Sequence, residues 1–307
     1  MQKLILLGSG NAATQLGTAL FRAGFQFTQI YSRKMDHAAR LAERIGGADF
    51  TDDPSEIKAD QADLVISALR DSVAEGVWRQ IHFGSTPVCH TAGSMPLDSL
   101  APYAVHRGVL YPLQTLSLKR DLDFSSIPLF IEAESAGTLK KLKRVATAIS
   151  KRVRVVTSEQ RKSIHIAAVF ANNFSNHMFS IASELLREKG LDFDDLQPLI
   201  DETSSKVHDL EPSSAQTGPA IRYDENIITE HKRCLADHPE WAELYEMTSR
   251  SIHSLAGKKT DFFFFCSVCQ IFFHFLPDTV VNLFPRVYIM RGQIIAKNNT
   301  RVMNYDG

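Results

Sequence analysis

The sequence predicts an α/β protein in which a doubly wound parallel sheet leads into an all-α second domain. Short apolar runs alternate with helix-patterned segments up to about Thr157, which is the spacing of strands joined by crossover helices. From Ser158 onward the strand pattern stops, and long helical stretches rich in Ala and Phe take over. A glycine-bearing string, Gly8-Ser9-Gly10-Asn11-Ala12-Ala13, stands between the first apolar run and the first helical pattern, where such a sheet turns from strand to helix.

The elements follow in order. Lys3–Leu7 is a short apolar run stopped by Gly8 and reads as a buried strand. Asn11 to Ala23 sets Leu16, Ala19, Leu20 and Ala23 on one helical face, with Gly24 as its C-terminal stop. Phe27–Tyr31 is the second strand, His37–Ile45 the second helix and Leu64–Leu69 the third strand. Asp71 or Ser72 can cap a helix running to about Ile81, and Val88–Thr91 is a further strand. Strand-like runs recur at Gly108–Tyr111, Ile127–Glu132 and Val153–Val156, with a helix over Ala136–Ser150 between the last two. Ser158–Lys189 reads as one long helix, followed by helices over Phe193–Leu210, Arg222–Ala236 and Pro239–Leu255. The domains are therefore expected at 1–157 and 158–257, with no internal repeat.

Residues 258–307 break the pattern. Phe262 to Phe265 is a run of phenylalanines, followed by Cys266, Cys269, Phe272, Phe273 and Phe275. The uncharged stretch from Phe262 to Pro277 is shorter than the ~20 residues a membrane span needs. The Cys266/Cys269 pair has no second pair or His-x-x-x-His to complete a zinc site, so no metal is expected. This tail is expected to be poorly ordered and outside the evolved fold, as a shifted reading frame would leave it; a membrane anchor is the alternative.

Bulk properties narrow the partners. A formal net charge of -1 leaves no global field to attract nucleic acid or an anionic membrane, so a small-molecule partner is expected. Cys89 and Cys234 lie far apart in ordinary segments and suggest no disulfide framework. The chain runs from Met-Gln-Lys straight into a strand, without the regions of a signal peptide, and is expected to be cytoplasmic.

The glycine string follows the GxGxxA dinucleotide fingerprint of a Rossmann domain. Gly8 permits the tight turn, Gly10 lets a pyrophosphate approach the backbone, and the small Ala13 lets helix and strand pack closely. Free N–H groups and the dipole at the helix N-terminus then meet the phosphates. NAD-specific domains place an acidic residue at the end of the second strand; here Ser32-Arg33-Lys34 stands instead. A hydroxyl and two cations suit a 2′-phosphate, so NADP(H) is the expected cofactor. Asp36, the nearby carboxylate, is expected to cap the next helix. Ala68-Leu69-Arg70, and then His90 with Thr91-Ala92-Gly93-Ser94, end later strands and should border the two halves of the dinucleotide. His90 reads equally as a proton donor and as a structural hydrogen-bonder.

GSGNAATQLGTAL, the SRK turn, HTAGSMP and YPLQT together resemble the Rossmann-like NADP oxidoreductases whose C-terminal half is a domain of unknown function. The resemblance continues through SEQRKSIHIAAVFANNFSNHM and AQTGPAIRYDEN and covers about residues 1–255. It implies an all-α C-terminal domain and a homodimer formed through those helices. The wider relatives it implies are the 6-phosphogluconate and β-hydroxyacid dehydrogenases and the pyrroline-5-carboxylate reductases. β-Hydroxyacid dehydrogenases carry a lysine and an asparagine one turn apart on the first interdomain helix. This chain has Asn172 and Asn173, but Ala168 and Val169 stand four residues before them, so that lysine is missing.

His165 lies seven residues before Asn172, about two α-helical turns along one face. An imidazole exchanges protons near neutral pH. His165 is therefore the candidate acid/base, with Asn172 orienting the substrate; both also fit as plain hydrogen-bonding residues. Asn173, and Tyr111 with Gln114 after the Gly108 strand, are candidate substrate contacts. Arg222, in Thr217-Gly218-Pro219-Ala220-Ile221-Arg222, is either an anion clamp or part of a structural helix start. The expected activity is hydride transfer to or from a small, anionic carbonyl, imine or alcohol. The alternative is a non-catalytic NADP-binding sensor or assembly module, with no proton donor in reach of the nicotinamide.

Overall fold

The computed structural model describes residues 2–274 apart from Lys119 and Asp121, together with 287–290, 293–296 and 303–304; side chains are described up to Gly257. It divides into two compact units, residues 1–180 and 181–307.

The first unit is built on an eight-stranded sheet. Its strands are β1 (Lys3–Leu7), β2 (Gln26–Tyr31), β3 (Asp49–Thr51), β4 (Leu64–Ser67), β5 (Val88–His90), β6 (Arg107–Pro112), β7 (Leu129–Ala133) and β8 (Val153–Val155). The order is β3-β2-β1-β4-β5-β6-β7-β8, so the chain reverses its winding beside β1, the crevice where doubly wound sheets bind ligands. Helices α1 (Asn11–Arg22), α2 (Met35–Arg44), α3 (Asp71–Trp78) and α4 (Ala136–Ile149) complete the layers. β1 and β4 are apolar on both faces, as a doubly covered strand must be. Leu4 and Leu6 pack into one core layer with Ala13, Leu16 and Leu20 of α1. Ile5 and Leu7 pack into the other with Val65, Trp78 and Phe83.

Two details depart from the sequence reading. β3 was not expected. β6 and β7 pair antiparallel, because only a short 3-10 turn at Phe124–Ser126 lies between them and no crossover helix returns the chain to its starting edge. Where a full helix does intervene, α4 between β7 and β8, the pairing is parallel.

After Thr157, which caps the next helix in a reciprocal capping box with Gln160, come α5 (Ser158–Ala168), a π-helical segment (Val169–Phe174) and α6 (Ser175–Glu188). The single long helix expected there is thus interrupted. The helices that follow are α7 (Gln197–Asp209), α8 (Pro212–Ala215), α9 (Pro219–Arg222), α10 (Glu225–Cys234) and α11 (Pro239–His274). The helix expected from Arg222 begins at Glu225 instead: Tyr223 adopts a left-handed φ of 50°, and the Asp224 side chain caps α10. Three short antiparallel strands, β9 (Val287–Met290), β10 (Gln293–Ala296) and β11 (Met303–Asn304), form a separate small sheet. The expectations for the tail, including Cys266 and Cys269, fall on side chains outside the described residues. Among the described residues no helix is long and apolar enough to cross a membrane.

Candidate active site

The fingerprint turn has the geometry a phosphate cradle needs. Gly8 sits at φ +118°, and a Cβ there would lie 2.7 Å from the Ala68 carbonyl oxygen. Its N–H donates to the Tyr31 carbonyl at 2.8 Å, which ties the turn to the end of β2. A Cβ on Gly10 would meet nothing within 4 Å, so the backbone there is open to a ligand. Gly10 is also the N-cap of α1 and gives no side-chain cap, which leaves first-turn N–H groups for an anion. Asn11 is exposed, Ala12 is half-buried, and Ala13 is fully buried against β1.

Ser9 and Ser32 join the ends of β1 and β2 through a hydroxyl–hydroxyl hydrogen bond of 2.6 Å. Arg33 and Lys34 follow, both exposed. Asp36 does not cap α2, whose N-cap is Lys34; its carboxylate instead pairs with Arg40 at 2.6 Å, one turn along the helix. Gly8, Ser9, Gly10, Ser32, Arg33, Lys34, Ala68, Leu69 and Arg70 share one cleft of about 480 Å³, joined by His37 and Val73, which the sequence did not single out. Basic groups thus line the side where β2 ends, and the fingerprint lines the middle.

A second cluster lies beyond β5. His90 is 1% exposed, and its ring stacks on Trp78. The Ala92 N–H donates to its Nδ1 at 3.2 Å, so Nε2 carries the proton toward the Pro96 carbonyl oxygen 3.3 Å away. Burial first, and then the charge of Arg161, push its pKa down to about 4. Both ring nitrogens are occupied, so His90 holds the shape of the 91–96 loop. In that loop Ser94 donates a short hydrogen bond to the Asp71 carboxylate at the start of α3. Asp71 and Ser72 lie inside α3, and Arg70 is the N-cap.

Gly93 brings the loop onto His165 and Tyr111. A Cβ at Gly93 would lie 2.7 Å from His165 Nδ1 and 2.8 Å from Tyr111 Cζ. The Tyr111 hydroxyl and His165 Nδ1 are 3.1 Å apart, with the rings edge-on at 74°. Four residues before His165, the buried Arg161 guanidinium pairs with Glu132 of β7 and donates to the Met95 carbonyl and to Ser158. Glu132 also accepts from the Ser158 backbone N–H at 2.8 Å. This network fixes the first turn of α5 against the sheet and the 91–97 loop. Composition gives no hint of it, because an arginine in a polar helical stretch reads as surface.

Asn172 and Asn173 are exposed and lie in the π segment. Wider i→i+5 turns rotate every later position relative to His165, so seven residues no longer equal two turns of one face. Gln114 is exposed, and its side-chain oxygen accepts from the Thr115 N–H at 2.8 Å. Arg222 is exposed, in the one-turn helix α9 of the second unit. The Tyr223 beside it accepts a hydrogen bond from Arg250 and packs against His253 with the rings tilted at 42°.

A mostly parallel sheet with a glycine fingerprint at its switch point defines a Rossmann-type dinucleotide-binding protein. Residues 3–88 match the family described as NADP oxidoreductase coenzyme F420-dependent, and residues 127–252 match a domain of unknown function, DUF2520. No curated protein matches significantly. A solved structure of a putative NADP oxidoreductase from Bacteroides fragilis is 47% identical, covering 82% of this chain and 98% of that one, with a TM-score of 0.76. The fold is shared with a 1-pyrroline-5-carboxylate reductase from Streptococcus pyogenes (13% identity, 82% and 98% covered, TM-score 0.55). It is also shared with a reductive aminase from Aspergillus terreus solved with NADPH and ethyl levulinate (14% identity, 84% and 94% covered, TM-score 0.63). The chain belongs to the family of NADP oxidoreductases that carry this C-terminal domain.

Proposed function

We propose that the chain is an NADPH-dependent reductase that transfers hydride to a small, anionic carbonyl or imine, or runs the reverse reaction on the matching alcohol or amine. The supporting observation is one cleft that joins an open phosphate turn at Gly8–Gly10 to a cationic wall at Arg33 and Lys34. In this reading the turn and the first turn of α1 hold the pyrophosphate. Ser32, Arg33 and Lys34 hold the 2′-phosphate, and Ala68, Leu69 and the Thr91–Ser94 loop border the rest of the cofactor. The bound nicotinamide supplies or accepts the hydride.

His165 is the acid/base of this reading. It is half-buried, it touches the Gly93 loop, and its Nε2 has no partner among the described residues. The presence of this proton carrier beside the loop favours an enzyme over a cofactor sensor. Asn172 and Asn173 orient the substrate's polar group from the π segment. His165→Gln in the full chain should abolish NADPH oxidation and leave NADPH binding intact; unchanged turnover would retire the assignment.

The same proposal takes the protein to be a cytoplasmic homodimer joined through its C-terminal helices. Ile166, Phe170, Phe174 and Met178 recur at every fourth position, and all four are exposed in the single chain. A second copy of the chain is the occupant that would cover them.

A further inference from the structure

We propose that Tyr111 positions His165 and resupplies its proton, so that the two side chains act as one relay with Nε2 of His165 as its outlet. The proposal rests on the reading of His165 as the acid. It adds a residue that does not itself meet the substrate.

The direction of the hydrogen bond follows from what each alternative leaves unpaired. Tyr111 is 9% exposed, and its hydroxyl has one partner among the described residues, His165 Nδ1 at 3.1 Å. If Nδ1–H donated to the phenol oxygen, the phenol proton would have no acceptor among the described residues, a costly arrangement for a group largely shielded from water. If the hydroxyl donates to Nδ1, both groups are satisfied and the imidazole proton sits on Nε2. Burial raises the Tyr111 pKa while Arg161 opposes the rise, so the phenol keeps its proton at neutral pH. Gly93 closes over both rings, and any larger residue would push the imidazole off the hydroxyl.

The proton count balances. When the substrate carbon has received hydride, the Nε2–H bond breaks and its proton goes to the neighbouring oxygen or nitrogen. The Tyr111 O–H bond breaks and an Nδ1–H bond forms, so the imidazole stays neutral. The phenolate left behind lies within the field of the buried Arg161 cation, whose effect on Tyr111 favours the ionised form. A solvent proton then reaches Nε2, and the Nδ1 proton returns to the phenolate through the Tyr111–His165 hydrogen bond, which restores the starting pair.

The test compares full-length wild-type protein with Tyr111→Phe and His165→Gln. It follows the 15N shifts of the His165 imidazole without cofactor, along with kcat, KM, NADPH affinity and Tm. The expected result is an Nε2–H tautomer in the wild type and mixed tautomers in Tyr111→Phe. In Tyr111→Phe, kcat should fall roughly 10²-fold or more, with KM and NADPH affinity held. Tyr111→Phe keeps the ring, so a lower Tm with unchanged kcat and tautomer would mean a packing role and overturn the proposal. If His165→Gln abolishes turnover and Tyr111→Phe does not change it, the relay fails while the acid assignment stands. If His165→Gln is fully active, the acid assignment itself fails and takes the relay with it.

Discussion

The sheet region and the helices after Ser158 differ in how they account for their apolar residues. The sheet region buries two full layers around β1 and β4, with Leu4, Ile5, Leu6 and Leu7 completely enclosed. From Ser158 to Gly257 the buried side chains are few: Arg161, Ile228, Leu235 and Ser249. Meanwhile Phe170 is 65% exposed and Leu199 63%. Burying a leucine or phenylalanine is worth about 1.5–3 kcal/mol, so leaving this many in water forgoes the main driving force for folding. The sheet region is built to be complete within one chain. The helical region leaves these side chains uncovered in the single chain, which is the observation behind the homodimer proposal.

Substitutions in each region can break or sharpen this contrast. The largest effect is expected at Gly8. Gly8→Val places a branched side chain at φ +118° against the Ala68 carbonyl, a strain of about 1–3 kcal/mol before the clash is counted. NADPH binding, followed by nicotinamide fluorescence, should be lost, while the helical region keeps its circular dichroism. Retained binding would mean that the turn is not the phosphate cradle.

Next comes the exposed stripe. Sedimentation of the wild-type chain at micromolar concentration should give near twice its 34.3 kDa mass. Phe170→Glu with Phe174→Glu should give monomers that melt at lower temperature. A wild-type monomer with the same Tm as the double variant would remove the contrast. Arg33→Ala with Lys34→Ala should follow, weakening NADPH binding by about 10–100-fold, as expected for charge-assisted contacts, while barely affecting NADH.

A pH dependence of stability, not of cofactor binding, is expected in the sheet region. Burial holds the folded-state pKa of His90 at about 4, below the ordinary histidine value of 6.5. As pH falls through 6.5 the unfolded chain takes up a proton that the folded protein refuses. Stability is therefore full above 6.5, falls across the window down to about 4 and levels off below it, a loss of up to about 3 kcal/mol. His90→Gln should flatten the curve of Tm against pH in that window; an unchanged slope would place the effect elsewhere.

Legibility in the sequence followed the same divide. β1 and the fingerprint were readable because one doubly buried strand and one strained turn each restrict residue choice severely. β3 was not, being three residues at the sheet edge with Asp49 and Phe50 exposed. The antiparallel return at β7 was readable only through the missing helix before it. In the helical region the π segment left no mark, because its residues, Val169-Phe170-Ala171-Asn172-Asn173-Phe174, suit an α-helix equally well. The spacing argument linking His165 to Asn172 failed there for that reason. The pairing of His165 with Tyr111 joins residues 54 apart and depends on Gly93, which no local pattern reveals.

The central claim is that the cleft at the ends of β1, β2 and β4 holds NADP(H). Parallel titration of the full-length protein with NADPH and NADH, read by nicotinamide fluorescence, tests it most directly. Saturable NADPH binding, at least tenfold tighter than NADH, is the predicted result. Equal affinity would contradict the role given to Ser32, Arg33 and Lys34, and binding of neither would contradict the cofactor site as a whole.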